Sequence, residues 1–499
     1  MATLLIAGSI SFPQPALADD NAELERLRAQ LKELEMQVKA LERQPEARAG
    51  DAAAGARETP VANTDEQGFV IRSADGRSEL RLRGQTQVDG RVYPGGTGSA
   101  NATTASDAFL LKQFRPTLQG ALWSTYDFLL MPDFGNGRTV IQDAYVDARV
   151  RPWLQLKAGK QKTPFGIERL QGESDGKFIE RALPNDLVPN RDIGVQIHGM
   201  LADGRVDYAL GYFNGVVDGN SSDNYASADA GSNGGRDIAA RVFATPFRYG
   251  PDVLQNLGLG LAVTYGNAQG VAAGGANAAT LTQSNLPSFR SALGQLTFFS
   301  YRTAAASGGS PGSGSAYADG ERLRWSPQFY YYNGPFGLLG EYVRVSQQVA
   351  RPIAANAIRS DRVDNDAWQI TASWLLTGES AGYANPAPKQ NFEPEKGGGP
   401  GAWELALRYS ELRIDNAAFA AFGPGSSTAR QARSYADPTV SARKAQAWTS
   451  GINWYPNRNL KLALDYEHTR FDGGWTNASG AVLDRPPEDV VSTRLQLAF

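Results

Sequence analysis

After residue 78 the chain alternates polar and apolar side chains with a period of two residues. In "SELRLRGQTQ" the side chains of Glu79, Arg81, Arg83 and Gln85 share one face, and the leucines between them share the other. The same period recurs in "DAYVDARV", "AWQITASWLL", "AWELALRYS", "NLKLALDYEHTRF" and "VVSTRLQLAF". Successive side chains of a β-strand point to opposite faces. The pattern is therefore typical of a transmembrane barrel with an apolar outside and a water-lined inside, although a soluble β-sandwich would also alternate.

The lengths of the connections between these segments favour the barrel. Short turns are predicted at "RPW", "ADGR", "NGP" and "PNRN", and long Gly-, Ser-, Ala- and Asn-rich loops near 94–107, 216–235, 268–320, 348–364, 413–443 and 472–488. Short turns at one end and long loops at the other are the pattern of outer-membrane barrels. Counting from Glu79, with Phe289–Tyr301 inside a loop and an atypical connection at Gly378–Gly401, gives about 16 strands. The fold class predicted is all-β, a transmembrane antiparallel β-barrel of about 16 strands with both barrel termini on the periplasmic side.

The final segment is the most specific sign of such a barrel. Val491, Thr493, Leu495, Leu497 and Phe499 share one face, and Phe499 is the last residue. A terminal aromatic residue on an alternating strand resembles the assembly signal of bacterial outer-membrane barrels. We therefore expect the protein in the outer membrane of a Gram-negative bacterium, with outer-membrane lipid around it.

The residues before the barrel change character three times. Residues 1–18 contain a short apolar run and small residues before Asp19, which predicts a signal peptide. Residues 19–44 carry leucines and a valine at alternating spacings of three and four, which predicts a short coiled-coil helix or a single amphipathic helix lying on a surface. Residues 45–68 are rich in Ala, Gly and charge and are expected to be a flexible linker. The barrel domain is then 69–499.

Composition excludes several functions. The formal net charge is −3, which argues against a nucleic-acid-binding protein, and there is no Cys for thiol catalysis or for Cys-ligated metals. The two histidines, His198 and His468, have no serine beside them at strand spacing, so a hydrolase site and a His-based metal site are both disfavoured. We expect no enzyme, no metal and no cofactor.

A barrel of about 16 strands keeps an aqueous lumen, which favours a channel. A channel is defined by its constriction, and porins typically narrow through a loop that folds inward. The segment in the right place is residues 161–191, "QKTPFGIERLQGESDGKFIERALPNDLVPNR", where basic side chains are interspersed with acidic ones. Pro164 and Gly166 are expected to let the chain leave the wall there.

The chain resembles the phosphate-selective porins of the O and P type. The matching motifs are, in chain order, "MPDFG", "KTPFGIERL", "FIERALPNDLVPNRDIGVQIHG", "GPFGLLGEYV", "WLLTGE" and "AWELALRYSEL", and the resemblance covers roughly Gly68 to Phe499. The resemblance implies a 16-stranded homotrimeric porin that takes up anions, with inorganic phosphate or polyphosphate as cargo. It also implies a third loop folded into the lumen, where basic side chains lead anions through. In the family the second strand begins with an Arg-rich sequence, which reads "LKQFRP" in this chain. This chain therefore has one cation fewer at that position than the family pattern.

These considerations give ten candidate cations for the anion pathway. They are Lys160, Lys162, Arg169, Lys177, Arg181, Arg191, Lys112, Arg115, Arg81 and Arg83. For the arginines of the loop, ion pairs that hold the loop to the wall are an equally open interpretation, and Asp133 is expected to anchor a loop. Two other functions stay open: a weakly selective general porin, and a structural or adhesive barrel whose helix contacts peptidoglycan.

Overall fold

The computed structural model describes residues 32, 33, 35, 61–65, 68–94, 106–222, 235–270, 284–303, 314–354 and 357–499. The predicted signal peptide lies outside this part of the chain. Of the predicted coiled coil only Lys32, Glu33 and Glu35 lie within it, and they are helical and exposed. Residues Val61–Arg72 and Gly76–Phe499 form one compact unit, which is described below.

Sixteen long antiparallel strands form a closed barrel. They are β3 (Glu79–Val92), β4 (Ala108–Leu122), β5 (Tyr126–Asp133), β6 (Val140–Arg151), β7 (Leu154–Lys162), β8 (Arg191–Leu201), β9 (Val206–Phe213), β10 (Asp237–Ala244), β11 (Leu257–Gln269), β14 (Tyr317–Asn333), β15 (Phe336–Ala354), β16 (Ala357–Leu375), β17 (Ala402–Arg413), β18 (Ala442–Tyr455), β19 (Leu460–Thr476) and β21 (Glu488–Ala498). Each pairs with its neighbours along the chain, and β21 pairs with β3 through residues such as Thr493 and Gly90. The prediction of a barrel of about 16 strands is confirmed.

Five shorter strands supplement the barrel. The hairpin of β1 (Val61–Asp65) and β2 (Gly68–Arg72) adds to the edge of β3 below the point where β21 ends, and β20 (Val482–Asp484) pairs with β19. The predicted linker, residues 45–68, is therefore wrong at its end. Val61–Asp65 and Gly68 belong to β1 and β2, which pair with each other and extend the sheet. The strands β12 (Ser288–Arg290) and β13 (Thr297–Ser300) form a separate hairpin, as expected for a segment inside a loop.

Alternation along each strand separates an apolar outside from a polar inside. In β3, Leu80 and Leu82 are exposed on the outer face, whereas Arg81, Gln87 and Asp89 are buried on the inner face. The last residue closes the wall: the backbone N–H and carbonyl of Phe499 exchange 2.9 Å hydrogen bonds with Gly84. The Phe499 ring covers Gly84, where an added Cβ would lie 2.6 Å from a ring carbon.

Short connections gather at one end of the barrel, here called the turn end, and long ones at the other, the loop end. One correction applies. The predicted loop 348–364 is mostly strand, because β15 and β16 extend until Ala354 pairs with Ala357. The connection of residues 376–401 at the turn end is long, as its atypical sequence indicated. Short helical turns occur at Ile167–Leu170, Leu183–Asp186, Pro394–Lys396, Asn416–Phe419 and Ser427–Gln431. None of the described helices has the length and hydropathy needed to cross a membrane.

Apolar side chains fill part of the interior at the loop end. Phe289 and Phe299 stack with ring centroids 5.3 Å apart, and Phe419 meets Phe299 edge-on. These rings pack in one cluster with Val343 and Val363 of the barrel wall. The loops that carry them therefore occupy the lumen on the side of β15–β18, and open space is left against β3–β8.

Candidate functional site: a constriction inside the barrel

Residues 163–190 cross the inside of the barrel and are here called the constriction loop. They begin where β7 ends at Lys162, just inside the predicted bounds of 161–191. Gly166 has φ +77°, and an added Cβ would lie 2.7 Å from the side chain of Val188, so a glycine is needed at this bend. The loop contacts β4 on one side of the barrel and β15, β17 and β19 on the other, as the following contacts show. It therefore spans the lumen.

Carboxylates of the wall hold the loop by its backbone. Glu341 of β15 accepts the N–H of Ile167 at 3.0 Å, and Asp465 of β19 accepts the N–H of Ile179 at 2.6 Å. An N–H buried without a partner costs free energy, so each of these wall carboxylates fixes one point of the loop.

Glu168 holds the loop from the opposite direction. Its carboxylate accepts from the Ala182 N–H at 3.0 Å, the Asn185 amide at 2.5 Å and the Gln369 amide at 2.9 Å. A fourth contact, at 3.3 Å, comes from the guanidinium of Arg408 on β17. Two parts of the loop and two strands of the wall thus meet at one side chain.

The turn-end connection of residues 376–401 reaches the same loop from below. The Tyr383 hydroxyl donates to the Ile167 carbonyl, and the Gln171 amide donates to the Tyr383 carbonyl. Asn385 donates to the Ser174 carbonyl at 2.7 Å and, through its backbone, to Asp175 at 3.1 Å. The constriction loop is therefore braced from the wall and from the turn end.

Two cavities lie on either side of the loop. The turn-end chamber has a volume of about 700 Å³ and the loop-end chamber about 590 Å³. Among the described residues, only Gly172, Glu173 and Arg191 line both of these chambers, and these three residues are here called the neck. The neck therefore borders both cavities.

Charged side chains line both chambers. The loop-end chamber is lined by eight Lys or Arg and six Asp or Glu side chains, and the turn-end chamber by five and four. Cations are thus in excess in each, but by a small margin, so the local pairing of charges decides which ones face the water uncompensated.

Five of the ten predicted cations line the loop-end chamber: Lys112, Arg115, Arg169, Arg181 and Arg191. Four of them are paired with carboxylates. Lys112 contacts Glu180, which Arg91 also contacts at 3.1 Å. Arg181 contacts Glu173 at 2.9 Å.

The other two paired arginines reach from the wall. Arg115 contacts Asp133 at 2.7 Å, and the expected anchoring role of Asp133 is seen in its contacts with the Phe114 and Gly135 N–H groups. Arg191 is 2% exposed and bridges Asp143 at 3.1 Å and Glu173 at 3.2 Å. The carboxylates involved are not the sequence neighbours of these arginines.

Arg169 is the fifth, and it has no carboxylate within ion-pair distance in the described part of the chain. One of its Nη atoms donates to the Asn185 carbonyl at 3.0 Å, while its buried Nε finds no hydrogen-bond partner there. Its charge is therefore uncompensated by direct contact in the loop-end chamber.

Arg83 and Lys162 line the turn-end chamber, as Arg191 does from the neck. The Lys162 ammonium donates to the Gln171 carbonyl at 2.7 Å, and a carbonyl is a neutral partner. Arg83 is exposed and lies 3.5 Å from the amide oxygen of Gln119. In the described part of the chain neither has a carboxylate within ion-pair distance, so neither side chain is compensated by a salt bridge in this chamber.

The remaining three predicted cations lie elsewhere. Arg81 is paired with Asp65 and Glu79 beside a groove at the turn end, and Lys177 is paired with Glu404 at 3.2 Å against the wall. Lys160 shares the outer face of β7 with the exposed Leu156 and Ala158, and its ammonium contacts the Ile141 carbonyl. Lys160 lines neither chamber. Lys160 is three residues after Lys157, which faces the lumen, and an odd number of residues along a strand puts a side chain on the opposite face.

Burial and charge act together on the loop carboxylates. Burial alone would raise the pKa of Glu180, but Lys112 and Arg91 lower it to about 2. Burial likewise opposes ionisation of Glu173, yet Arg181 and Arg115 hold its pKa well below the ordinary value. Both side chains are therefore anions at any physiological pH.

Several residues of the site were not singled out in the sequence. Glu173 was seen only as one acid among several, and Arg408, Arg494, Arg138 and Arg290 were not considered. Arg138 and Arg290 sit in loops where no period identifies the lumen side. Arg408 and Arg494 could have been found, because each occupies an inward position of an alternating strand.

The two histidines make ordinary polar contacts. His198 lines the turn-end chamber with Nε2 at 2.9 Å from Asp147, and His468 contacts Asp489 at 2.8 Å. No group of three or more metal-ligating side chains is present among the described residues.

The chain was compared with known proteins. The family model described as "Phosphate-selective porin O and P" matches residues 80–499. Porin O of Pseudomonas aeruginosa is 22% identical over 442 residues, covering 87% of this chain and 91% of that protein.

Similar solved structures include the outer membrane channel DcaP of Acinetobacter baumannii, with 11% identity and a TM-score of 0.49 over 88% of this chain and 100% of that one. They also include an anion-selective porin from Comamonas acidovorans, with 11% identity and a TM-score of 0.45 over 85% and 100%. The family match covers the whole barrel. The closed 16-stranded barrel with a braced inner loop is accordingly an outer-membrane porin, a channel rather than an enzyme, and the chain belongs to the phosphate-selective porin O and P family.

Proposed function

We propose that this porin gives passive, anion-preferring diffusion of small inorganic anions, with phosphate or polyphosphate as the cargo. The observation that carries the proposal is the excess of cations over carboxylates in both chambers. Fixed cations around a water-filled passage lower the electrostatic barrier for anions and raise it for cations. The name of the family supports phosphate as the cargo.

The uncompensated cations are proposed to lie along the ion path. Arg169 stands above the neck, and Lys162 and Arg83 stand below it. Several moderate sites in a row let an anion leave as readily as it enters. The paired arginines Arg115, Arg181 and Arg191 are proposed to shape the passage and to add positive potential that their carboxylate partners partly cancel.

The surroundings of the pore are part of the proposal. We propose a homotrimer in outer-membrane lipid, with the turn end and both barrel termini on the periplasmic side. The N-terminal helix would then lie in the periplasm, where it can contact peptidoglycan.

Reversal potentials in a planar bilayer under a salt gradient test the proposal. We expect anion selectivity, and chloride current that phosphate reduces. Cation selectivity would contradict the proposal. Negligible conductance together with peptidoglycan binding would favour a structural barrel instead.

A weakly selective general porin is the second candidate. It is favoured by the ion pairs that compensate Lys112, Arg115, Arg181 and Arg191. It predicts a chloride conductance that phosphate changes little.

A further inference from the structure

Three arginines surround one carboxylate at the neck. Glu173 lies 2.9 Å from Arg181, 3.2 Å from Arg191 and 4.0 Å from Arg115, measured between nitrogen and oxygen atoms. The arginines come from three elements: the loop itself, the start of β8 and the middle of β4. Their convergence on one point is therefore a property of the fold rather than of local sequence.

The surroundings of Glu173 differ from those of a structural clamp. In the described part of the chain its carboxylate oxygens contact guanidinium groups and no backbone N–H. The side chain of Glu173 is 12% exposed and lines both chambers. A carboxylate in this position holds no second segment of loop backbone, unlike Glu168. It instead borders both chambers, on the proposed path of the ions.

The arginines retain capacity to bind a further oxygen. The buried Nη1 of Arg115 has no hydrogen-bond partner among the described residues, although it points to within 4.0 Å of Glu173. Guanidinium groups match the oxygens of carboxylates and phosphates in the same planar geometry. A tetrahedral anion has more acceptor oxygens than a carboxylate, so it can use donors that Glu173 leaves unused.

We infer that Arg115, Arg181 and Arg191 form an oxyanion site in the neck and that Glu173 is its tethered occupant. A permeating dianion such as phosphate enters this site only by displacing the Glu173 carboxylate, which acts as a competitor at a fixed, high local concentration. The side chain thereby keeps the affinity for phosphate low and the passage fast. This inference rests on the proposed anion pathway and names the residue that sets its affinity.

The variant Glu173→Gln tests the inference in the full-length protein. It removes the competing charge with little change of volume, and inorganic phosphate is the probe. We expect half-block of the chloride current at a phosphate concentration at least about tenfold lower than in the wild type, together with stronger anion selectivity. Phosphate should also raise the melting temperature of the variant more than that of the wild type, which gives a readout of binding apart from current.

Glu180→Gln is the matched control. Glu180 is also a loop carboxylate between two cations, Arg91 and Lys112, but it lines only the loop-end chamber. Its removal should raise anion selectivity without a comparable gain in phosphate block.

Equal phosphate block in Glu173→Gln and the wild type would overturn the inference, as would an equal gain in Glu180→Gln. If the wild type itself is cation-selective, the proposed function fails first; if it is anion-selective and Glu173→Gln is unchanged, only the inference fails. Should Glu173→Gln not assemble, Glu173→Asp takes its place. Its shorter carboxylate should shift the block in the same direction by a smaller factor, and an unchanged block contradicts the inference.

Discussion

Glu168 and Glu173 stand five residues apart in the constriction loop and face different surroundings. Glu168 lies on the side of β16 and β17, where its carboxylate accepts four hydrogen bonds, one of them from backbone. Glu173 lies on the side of β4 and β8 and meets only guanidinium groups at the neck. One side of the loop is therefore a fixed attachment, and the other is a charged surface exposed to permeating ions.

The difference teaches that a charge count alone does not describe this pore. On the attached side, the carboxylates accept hydrogen bonds that hold the backbone of the constriction loop in place. Removing one of them should change the shape of the lumen. On the neck side, charges set the field along the path, and their removal should change which ions pass. Substitutions on the two sides should therefore separate the shape of the lumen from its ion selectivity.

Replacing Glu168 with Ala should have the largest effect because it breaks the attached side. The change leaves the Ala182 N–H and the Asn185 amide without their acceptor and deprives Arg408 of one partner. Breaking a buried ion pair typically costs about 3–5 kcal/mol. We expect a lower unfolding midpoint in detergent, a larger single-channel conductance and weaker selectivity, since the loop is no longer held across the lumen.

An exposed ion pair provides the control for this variant. Glu321 and Arg362 are 3.0 Å apart with more than half of each side chain exposed, and such pairs contribute little. Glu321→Gln should leave both stability and conductance unchanged. A stable Glu168→Ala variant with wild-type conductance would show that the attached side does not hold the loop.

Replacing Lys162 with Ala should change selectivity and leave stability almost intact. Its ammonium meets only carbonyl oxygens near the neck, so no buried carboxylate is left unpaired when it is removed. A unit charge about 4 Å from an ion in water is worth about 1 kcal/mol, roughly a fivefold change in relative permeability. The ratio of anion to cation permeability, measured from reversal potentials, should fall by up to this factor.

Lys160 is the matched control for Lys162, because it is the same residue type two positions earlier. It shares the outer face of β7 with Leu156 and lines neither chamber. Lys160→Ala should leave the permeability ratio unchanged. Equal effects of the two substitutions would contradict the assignment of Lys160 and Lys162 to different surroundings on β7.

How far the sequence predicts this molecule depends on where a residue lies. Along strands the period of two identifies the barrel and its inner face, which is the face that carries Arg83 and not Lys160. In the constriction loop no period exists. Whether Arg169 faces water or Glu173 collects three arginines is set by chain segments far apart in sequence, such as β4 and β8.

The same limit explains the attached side. The resemblance predicted an inward loop at residues 161–191 without naming what holds it. Glu341, Gln369 and Arg408 occupy inward positions of ordinary alternating strands, and their partners emerge only when the loop is brought against them. Similarly, the connection at Gly378–Gly401 looked atypical in sequence, and its reason is visible in the contacts of Tyr383 with the loop.

Acidity at the loop-end chamber gives the smallest predicted effect, because it changes one charge of the constriction loop without a substitution. Burial raises the pKa of Asp186 to about 7, while the Arg290 N–H at 2.8 Å and the charges of Arg169 and Arg290 oppose the rise. Because this pKa lies above the ordinary value of 3.8, the proton stabilises the fold, and that contribution is lost as pH rises from about 4 to 7.

Above pH 7 the new carboxylate charge of Asp186 should also lower anion selectivity. A charge about 8 Å from an ion in water is worth about 0.5 kcal/mol, so the permeability ratio should change by roughly twofold or less between pH 5 and 8. Asp186→Asn, which cannot ionise, should lose this part of the pH dependence, and an identical pH profile in the variant would exclude Asp186 as its source.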